Sequence, residues 1–202
     1  MNILKYTGRG MVWFLSIAVA LASYRFLIGG VAQTMDIVAH NLDTRKIPLY
    51  AHIGFAPIAL LLMPFQFWTG LRVTRPLVHR WMGRIYVLAV AISGISGLYI
   101  AFFTIMGPFA AAGFGLLAIV WLATTYLAYS HARARRIAAH KKWMVRSAAL
   151  TFAAVTLRLW LPFFFIATNL EFSVFYPWVA WLCWVPNLIA AEIYLRRRTS
   201  VL

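Results

Sequence analysis

Residues 79–106 read HRWMGRIYVLAVAISGISGLYIAFFTIM, a short basic segment that leads into a long apolar run. An apolar run of about 20 residues is long enough to cross the roughly 30 Å hydrocarbon core of a bilayer as a helix. The arrangement returns at His140-Lys141-Lys142-Trp143-Met144-Val145-Arg146, which leads into another apolar run. Each segment has a histidine, one or two bases, Trp-Met, one small or apolar residue and an arginine. The repeat predicts two membrane helices that start alike on the same face.

The composition of the whole chain agrees with a membrane location. Of 202 residues, 63% are hydrophobic and 11% are charged, whereas a soluble domain has roughly 25% charged residues. The net charge is +15, from 19 Lys and Arg against four acids. On a soluble protein such a charge would indicate nucleic acid. Here the bases cluster in alternate loops, so we expect a bilayer with anionic headgroups as the partner and no nucleic acid.

The apolar runs predict an all-α integral membrane bundle of six transmembrane helices, with residues 1–202 as a single transmembrane domain. The third span contains Ser93, Gly94 and Gly97, a small-residue face suited to close contact with another helix. The segment after Lys5 and Arg9 lacks a signal-peptide cleavage site and is expected to remain as the first span. We place the spans at about 11–31, 48–71, 83–106, 109–130, 145–167 and 175–195.

Basic residues are distributed unequally between the two sets of loops. The N-terminus, the loops around His79 and His140, and the tail Arg196-Arg197-Arg198 hold most of them. Because Lys and Arg accumulate in cytoplasmic loops, we expect both termini to lie in the cytoplasm.

His79 and His140 occupy equivalent positions just before the third and fifth spans, which run in the same direction. Two imidazoles on neighbouring helices at one depth can ligate a haem b iron from both sides. Arg84 and Arg146 follow in the two segments and would then pair with the haem propionates. The alternative is structural: each histidine caps a helix or lies among headgroups, and each arginine anchors the interface.

Two ionisable residues inside the predicted spans are candidates for a function. His52 lies near the outer end of the second span, where an ionisable side chain is costly unless it faces the protein interior. It is either a functional residue or a hydrogen-bonded structural histidine. Arg158 lies near the middle of the fifth span and is expected to bind an anionic ligand, a quinone carbonyl, or backbone carbonyls freed by Pro162. Glu192 and Arg196, spaced i, i+4, predict an ion pair along one helix.

Several enzyme classes lack their sequence motifs. The chain has no Walker loop, no Gly-rich dinucleotide fingerprint, no HExxH and no nucleophile elbow, and Cys183 is its only cysteine. We therefore expect at most a membrane oxidoreductase or electron carrier.

Four stretches resemble a bacterial family of multi-pass membrane proteins of unknown function, DUF2306. They are His52-Ile53-Gly54-Phe55, Pro64-Phe65-Gln66-Phe67, the segment 79–86, and His140 through Arg158. The resemblance implies a multi-pass protein, which we expect in the bacterial inner (plasma) membrane, and it supplies no activity.

A looser similarity is to transmembrane di-haem cytochromes of the b561 type. In that pattern the second and fourth spans supply an outer histidine pair, and the third and fifth supply an inner pair. His79 and His140 match the inner pair and His52 matches half of the outer pair, but the fourth span offers no histidine. The similarity therefore implies one bis-histidine haem and leaves a second one open.

Three functional hypotheses follow. The leading one is a small b-type haem protein that moves electrons in or across the membrane, with a quinone or another redox partner. The second is a non-redox transporter or small-molecule binder that uses His52 and Arg158 in a central cavity. The third is a structural membrane protein whose small-residue faces, such as Ser93 to Gly97, bind another subunit.

Overall fold

A computed structural model describes the backbone of residues 3–199 and their side chains, except those of residues 3–6, 9, 36 and 199. Lys5 and Arg9, assigned to the cytoplasmic face, lie outside the described side chains. Within the described range the chain is α-helical apart from turns and one 3₁₀ segment, with no strand. The helices are α1 (Ile3–Ser23), α2 (Arg25–Ile28), α3 (Val31–Thr34), α4 (Asp36–Ala39), α5 (Lys46–Leu62), the 3₁₀ segment Pro64–Phe67, α6 (Thr69–Thr74), α7 (Pro76–Ala101), α8 (Gly107–Arg133), α9 (Ile137–Thr151), α10 (Ala153–Ala167), α11 (Phe172–Leu182) and α12 (Val185–Thr199).

Six segments of the described chain are long and apolar enough to cross a bilayer, which confirms the all-α, six-span prediction. They are Gly10–Ile28, Lys46–Phe67, Pro76–Ala101, Gly107–Arg133, Ile137–Ala167 and Phe172–Arg198.

The third and fifth spans begin earlier than the apolar runs indicate. Helix α7 begins at Pro76 and α9 begins at Ile137, ahead of the predicted starts at 83 and 145. Proline is well suited to a first helical position, and long basic side chains extend from a helix to the headgroups. His79 and His140 therefore lie inside helices rather than in the preceding loops.

The chain divides into two compact units, residues 1–93 and 94–202, which we describe separately. The prediction that residues 1–202 form one domain stays a prediction. In the first unit α1 packs against α5. Trp13, Phe65 and Trp68 form an aromatic cluster, with the Trp13 and Phe65 ring centroids 4.7 Å apart.

In the second unit α8 and α9 form the most extensive helix pair, and α11 also packs on α8. Gly94 begins this unit, and a Cβ there would lie 2.7 Å from Cδ2 of Leu122 on α8. The predicted close helix contact is therefore confirmed for Gly94, whose partner is Leu122 on α8 of the same chain.

The fifth and sixth spans are each broken into two helices, at Phe152 and at Cys183–Trp184. Pro186 has no N–H to donate to the carbonyl of Leu182, four residues earlier. Nε1 of Trp160 donates to that carbonyl instead, at 3.0 Å. Irregular backbone at membrane depth is tolerated where other protein groups satisfy it, and Trp160 does so here.

Candidate functional site

His140 is the fourth residue of α9 and is half-buried. Its main-chain N–H donates to the carbonyl of Arg136 at 2.9 Å, and its ring Nδ1 lies 2.8 Å from the carbonyl oxygen of Ala128 on α8. Because a carbonyl only accepts hydrogen bonds, Nδ1 must carry a proton. In the neutral ring Nε2 then keeps its lone pair, which is the arrangement found in metal-binding histidines.

His79 is the fourth residue of α7 and is also half-buried. Its main-chain N–H donates to the carbonyl of Arg75 at 3.1 Å, as that of His140 does to Arg136. The sequence repeat is therefore also a repeat of helix starts. His79 and His140 belong to different units, so their pairing across one haem stays a prediction.

The two segments share a second contact that sequence reasoning missed. The guanidinium carbon of Arg84 lies 4.6 Å from the Trp81 ring centroid, and that of Arg146 lies 4.5 Å from the Trp143 ring centroid. Residues three apart share a helix face, and arginine over tryptophan is a favourable cation–π pair. The spacing Trp-x-x-Arg was the signal available in the sequence.

Arg146 differs from Arg84 in its charge partner. Its Nε and Nη2 donate to the two carboxylate oxygens of Glu192 on α12, at 2.5 and 2.9 Å. Among the described residues, Glu192 forms its ion pair with Arg146 and not with Arg196 on its own helix, although the charge of Arg196 also acts on Glu192. Among the described residues, no carboxylate forms an ion pair with Arg84.

His52 connects two helices of the first unit. Its ring Nδ1 lies 2.8 Å from the carbonyl oxygen of Ser93 on α7, so that Nδ1 is protonated and Nε2 is the acceptor nitrogen of the neutral ring. The hydroxyl of Ser93, which is buried, donates to the carbonyl of Ala89 at 2.7 Å. His52 is thus hydrogen-bonded to a neighbouring helix, as the structural alternative expected. A functional role for His52 stays a prediction.

Arg158 is half-buried on α10 and donates through Nη1 to the carbonyl of Ala154 at 2.8 Å. A backbone carbonyl was one of its three expected partners, but this is a different carbonyl from the one freed by Pro162. The proline removes the donor for the carbonyl of Arg158 itself. Binding of an anionic ligand or a quinone stays a prediction.

Buried polar groups join α8 to α9. Thr125 and Ser147 share a hydrogen bond of 2.7 Å between their hydroxyls, and Nε1 of Trp121 donates to the hydroxyl of Thr151 at 2.8 Å. Such contacts between membrane helices contribute on average about 0.6 kcal/mol each. Together with the His140–Ala128 bond they fix the register of the two helices and hence the orientation of the imidazole.

A second polar cluster lies at the broken helices. Nδ2 of Asn187 donates to the carbonyl of Cys183 and to the hydroxyl of Thr156, both at 3.0 Å, and contacts the carbonyl of Ala149 at 3.3 Å. The hydroxyl of Thr156 also donates to the carbonyl of Cys183. These side chains donate hydrogen bonds to carbonyls that backbone N–H groups would bind in a regular helix.

The described residues contain no group of three or more His, Cys, Asp or Glu side chains able to hold a metal ion. A haem needs only two axial side chains, because its porphyrin supplies the other ligands of the iron.

The fold and the site define an all-helical membrane protein with six candidate spans and a repeated His, Trp, Arg segment. A family model described as "Predicted membrane protein (DUF2306)" matches residues 49–195. The chain therefore belongs to the DUF2306 family, which confirms the resemblance seen in the sequence. No match was found among curated proteins or solved structures.

Proposed function

We propose that this protein is a small b-type haem protein that moves electrons in or across a bacterial inner membrane, with His79 and His140 as axial ligands. The observation that carries the proposal is the ring geometry of His140. The Ala128 carbonyl accepts a hydrogen bond from Nδ1–H of His140, so Nε2 keeps the lone pair that iron ligation requires. His79 is assigned the same role because it shares the fourth helical position.

The two candidate propionate partners fit a haem to different degrees. Arg84 is exposed, and no described carboxylate pairs with it, so its charge is available to a propionate. Arg146 already binds both oxygens of Glu192 and would reach a propionate only by sharing its guanidinium. We therefore propose Arg84, rather than Arg146, as the main partner of a haem propionate.

Bound haem b would supply one-electron transfer, tuned by its axial ligands and their hydrogen bonds. The Ala128 carbonyl sets the orientation of the His140 ring, and the polar contacts between α8 and α9 hold that carbonyl in position. His52 would lie near an outer electron donor or acceptor site, where the hydroxyl of a quinol would donate a hydrogen bond to Nε2.

We also propose that both termini face the cytoplasm. Exposed bases occupy the turn between α6 and α7, the turn between α8 and α9, and the end of α12, and cytoplasmic segments collect Lys and Arg. A cysteine introduced at Asn169 should react with an impermeant thiol reagent added outside cells, whereas one at Arg135 should not. The reverse pattern would refute this orientation, and the native Cys183 is buried.

Optical spectra of protein purified in mild detergent from haem-sufficient cells test the haem assignment. We expect a b-type spectrum, reduced against oxidised, in the wild type. His140→Asn should lose it, because the asparagine amide can still donate to the Ala128 carbonyl but offers no nitrogen lone pair to iron. His79→Asn should do the same. His131→Asn, in the same basic region, should keep the spectrum.

A wild-type spectrum without haem bands would refute the proposal. A His140→Asn variant with unchanged bands would refute the ligand assignment while leaving the haem.

A further inference from the structure

The turn between α8 and α9, together with the adjoining residues of both helices, carries five bases. All five are exposed, and none forms an ion pair with a described carboxylate. The acids of this unit lie elsewhere, since Glu192 binds Arg146 and Glu171 lies beside Ser173 before α11. The basic turn, as we call it, consists of Arg133, Arg135, Arg136, Lys141 and Lys142.

Arg135 holds a backbone conformation that disfavours any side chain. Its φ is +58°, the only positive value among the described residues other than glycine. The amides of Arg135 and Arg136 donate to the carbonyls of Ala132 and His131, at 3.1 and 2.9 Å. This is the Schellman pattern of helix termination, and glycine is its usual residue at the left-handed position. An arginine there costs stability that glycine would not, and residues in such conformations are concentrated at functional sites.

The surface next to the basic turn is aromatic and apolar. Tyr126 and Ile137 are 67% and 50% exposed, and Arg133 contacts the hydroxyl of Tyr129 at 3.5 Å. Exposed tyrosines at the end of a span lie at headgroup depth. A partner of this surface therefore meets several positive charges beside apolar side chains.

We propose that the basic turn binds an acidic phospholipid that carries more than one phosphate. Four to eight Lys and Arg beside a membrane helix are typical of such headgroup sites. The acyl chains would lie along the exposed apolar face of α8, and the phosphates would contact the bases. This inference is independent of the haem proposal, because it uses none of the same side chains.

The test is a titration of the purified protein in detergent with cardiolipin, phosphatidylcholine or inorganic pyrophosphate, with bound molecules counted by native mass spectrometry. We expect cardiolipin to bind more tightly than phosphatidylcholine or pyrophosphate. Its binding should weaken as salt is added. Arg135→Gly should weaken cardiolipin binding about fivefold, the loss expected for one base near the headgroups. Arg72→Gln, which removes an exposed charge from α6, should not change it.

Arg135→Gly also separates lipid binding from folding. Glycine suits the left-handed position, so the lipid-free thermal midpoint should equal or exceed that of the wild type. Equal cardiolipin affinity in Arg135→Gly and the wild type would overturn the proposal. So would equal affinity for cardiolipin and phosphatidylcholine, or pyrophosphate binding as tight as cardiolipin binding.

Discussion

Arg146 on α9 and Glu192 on α12 meet in a two-pronged ion pair, although they are 46 residues apart in the chain. The same guanidinium lies over the ring of Trp143. Arg146 thus joins the basic ends of the fifth and sixth spans. Its counterpart Arg84 lies over the ring of Trp81 but, among the described residues, forms no ion pair with a carboxylate. The arginine of the repeated motif therefore forms an ion pair between helices in α9, whereas in α7 its charge is not paired with a described carboxylate.

Removal of the Glu192 charge should destabilise the second unit. We expect Glu192→Gln to cost on the order of 1 kcal/mol, because the pair is partly exposed and its charges are partly screened. At roughly 2–4 °C per kcal/mol for a chain of this size, the thermal midpoint in detergent should fall by a few degrees. Glu171→Gln, at an exposed residue without a described ion pair, should leave the midpoint unchanged. An equal fall in both variants would contradict the assignment.

Two glycines of α8 should respond differently to alanine. A Cβ at Gly113 would lie 2.9 Å from Nε1 of Trp181 and 3.0 Å from Cβ of Ala180, whereas one at Gly115 would meet only Leu98 at 3.9 Å. Gly113→Ala must displace α11 and disturb the Trp181–Phe109 hydrogen bond, at a cost of about 1–3 kcal/mol.

Gly115→Ala should instead leave stability unchanged or raise it by up to about 1 kcal/mol, because alanine favours helix. Thermal midpoints of the two variants measured side by side would decide, and a larger loss at Gly115 would show that the α8–α11 contact is wrongly described.

The only cysteine of the chain reports on the broken helices. Cys183 is buried, and its carbonyl receives hydrogen bonds from Thr156 and Asn187. We expect Asn187→Leu to loosen this junction and to accelerate reaction of Cys183 with a membrane-permeant maleimide at least several-fold. Asn169→Leu, in an exposed loop, is the matched control. Equal labelling rates in the two variants and the wild type would show that Asn187 does not hold the junction closed.

The structural part of the His52 contact can be separated from any functional part. His52→Asn keeps a donor for the Ser93 carbonyl, so its thermal midpoint should stay close to that of the wild type. His52→Leu removes this hydrogen bond, while the carbonyl keeps its donor within α7, and should cost about 0.5–1.5 kcal/mol. If the asparagine variant is as unstable as the leucine variant, the Nδ1–Ser93 contact does not explain the stability of the first unit.

The sequence by itself determined the helical class and the six candidate spans. A backbone in lipid must satisfy its own hydrogen bonds, so the length of each apolar run is sufficient to identify a membrane helix. The helix starts were less predictable. Residues 76–82 are too polar for a hydropathy run, yet α7 includes them, because a helix continues into the headgroups where its basic side chains remain solvated.

Only the tertiary structure decided which polar groups meet. Glu192 has three arginines on its own helix within one or two turns, and its sequence spacing favours Arg196. It binds Arg146 because α12 packs against α9 and brings a guanidinium with matching geometry to both carboxylate oxygens. Likewise, no pattern assigns the Ala128 carbonyl to His140 or the Cys183 carbonyl to Asn187. Burial in the membrane is a local property of one segment, whereas a hydrogen bond between helices depends on which faces of two segments come together.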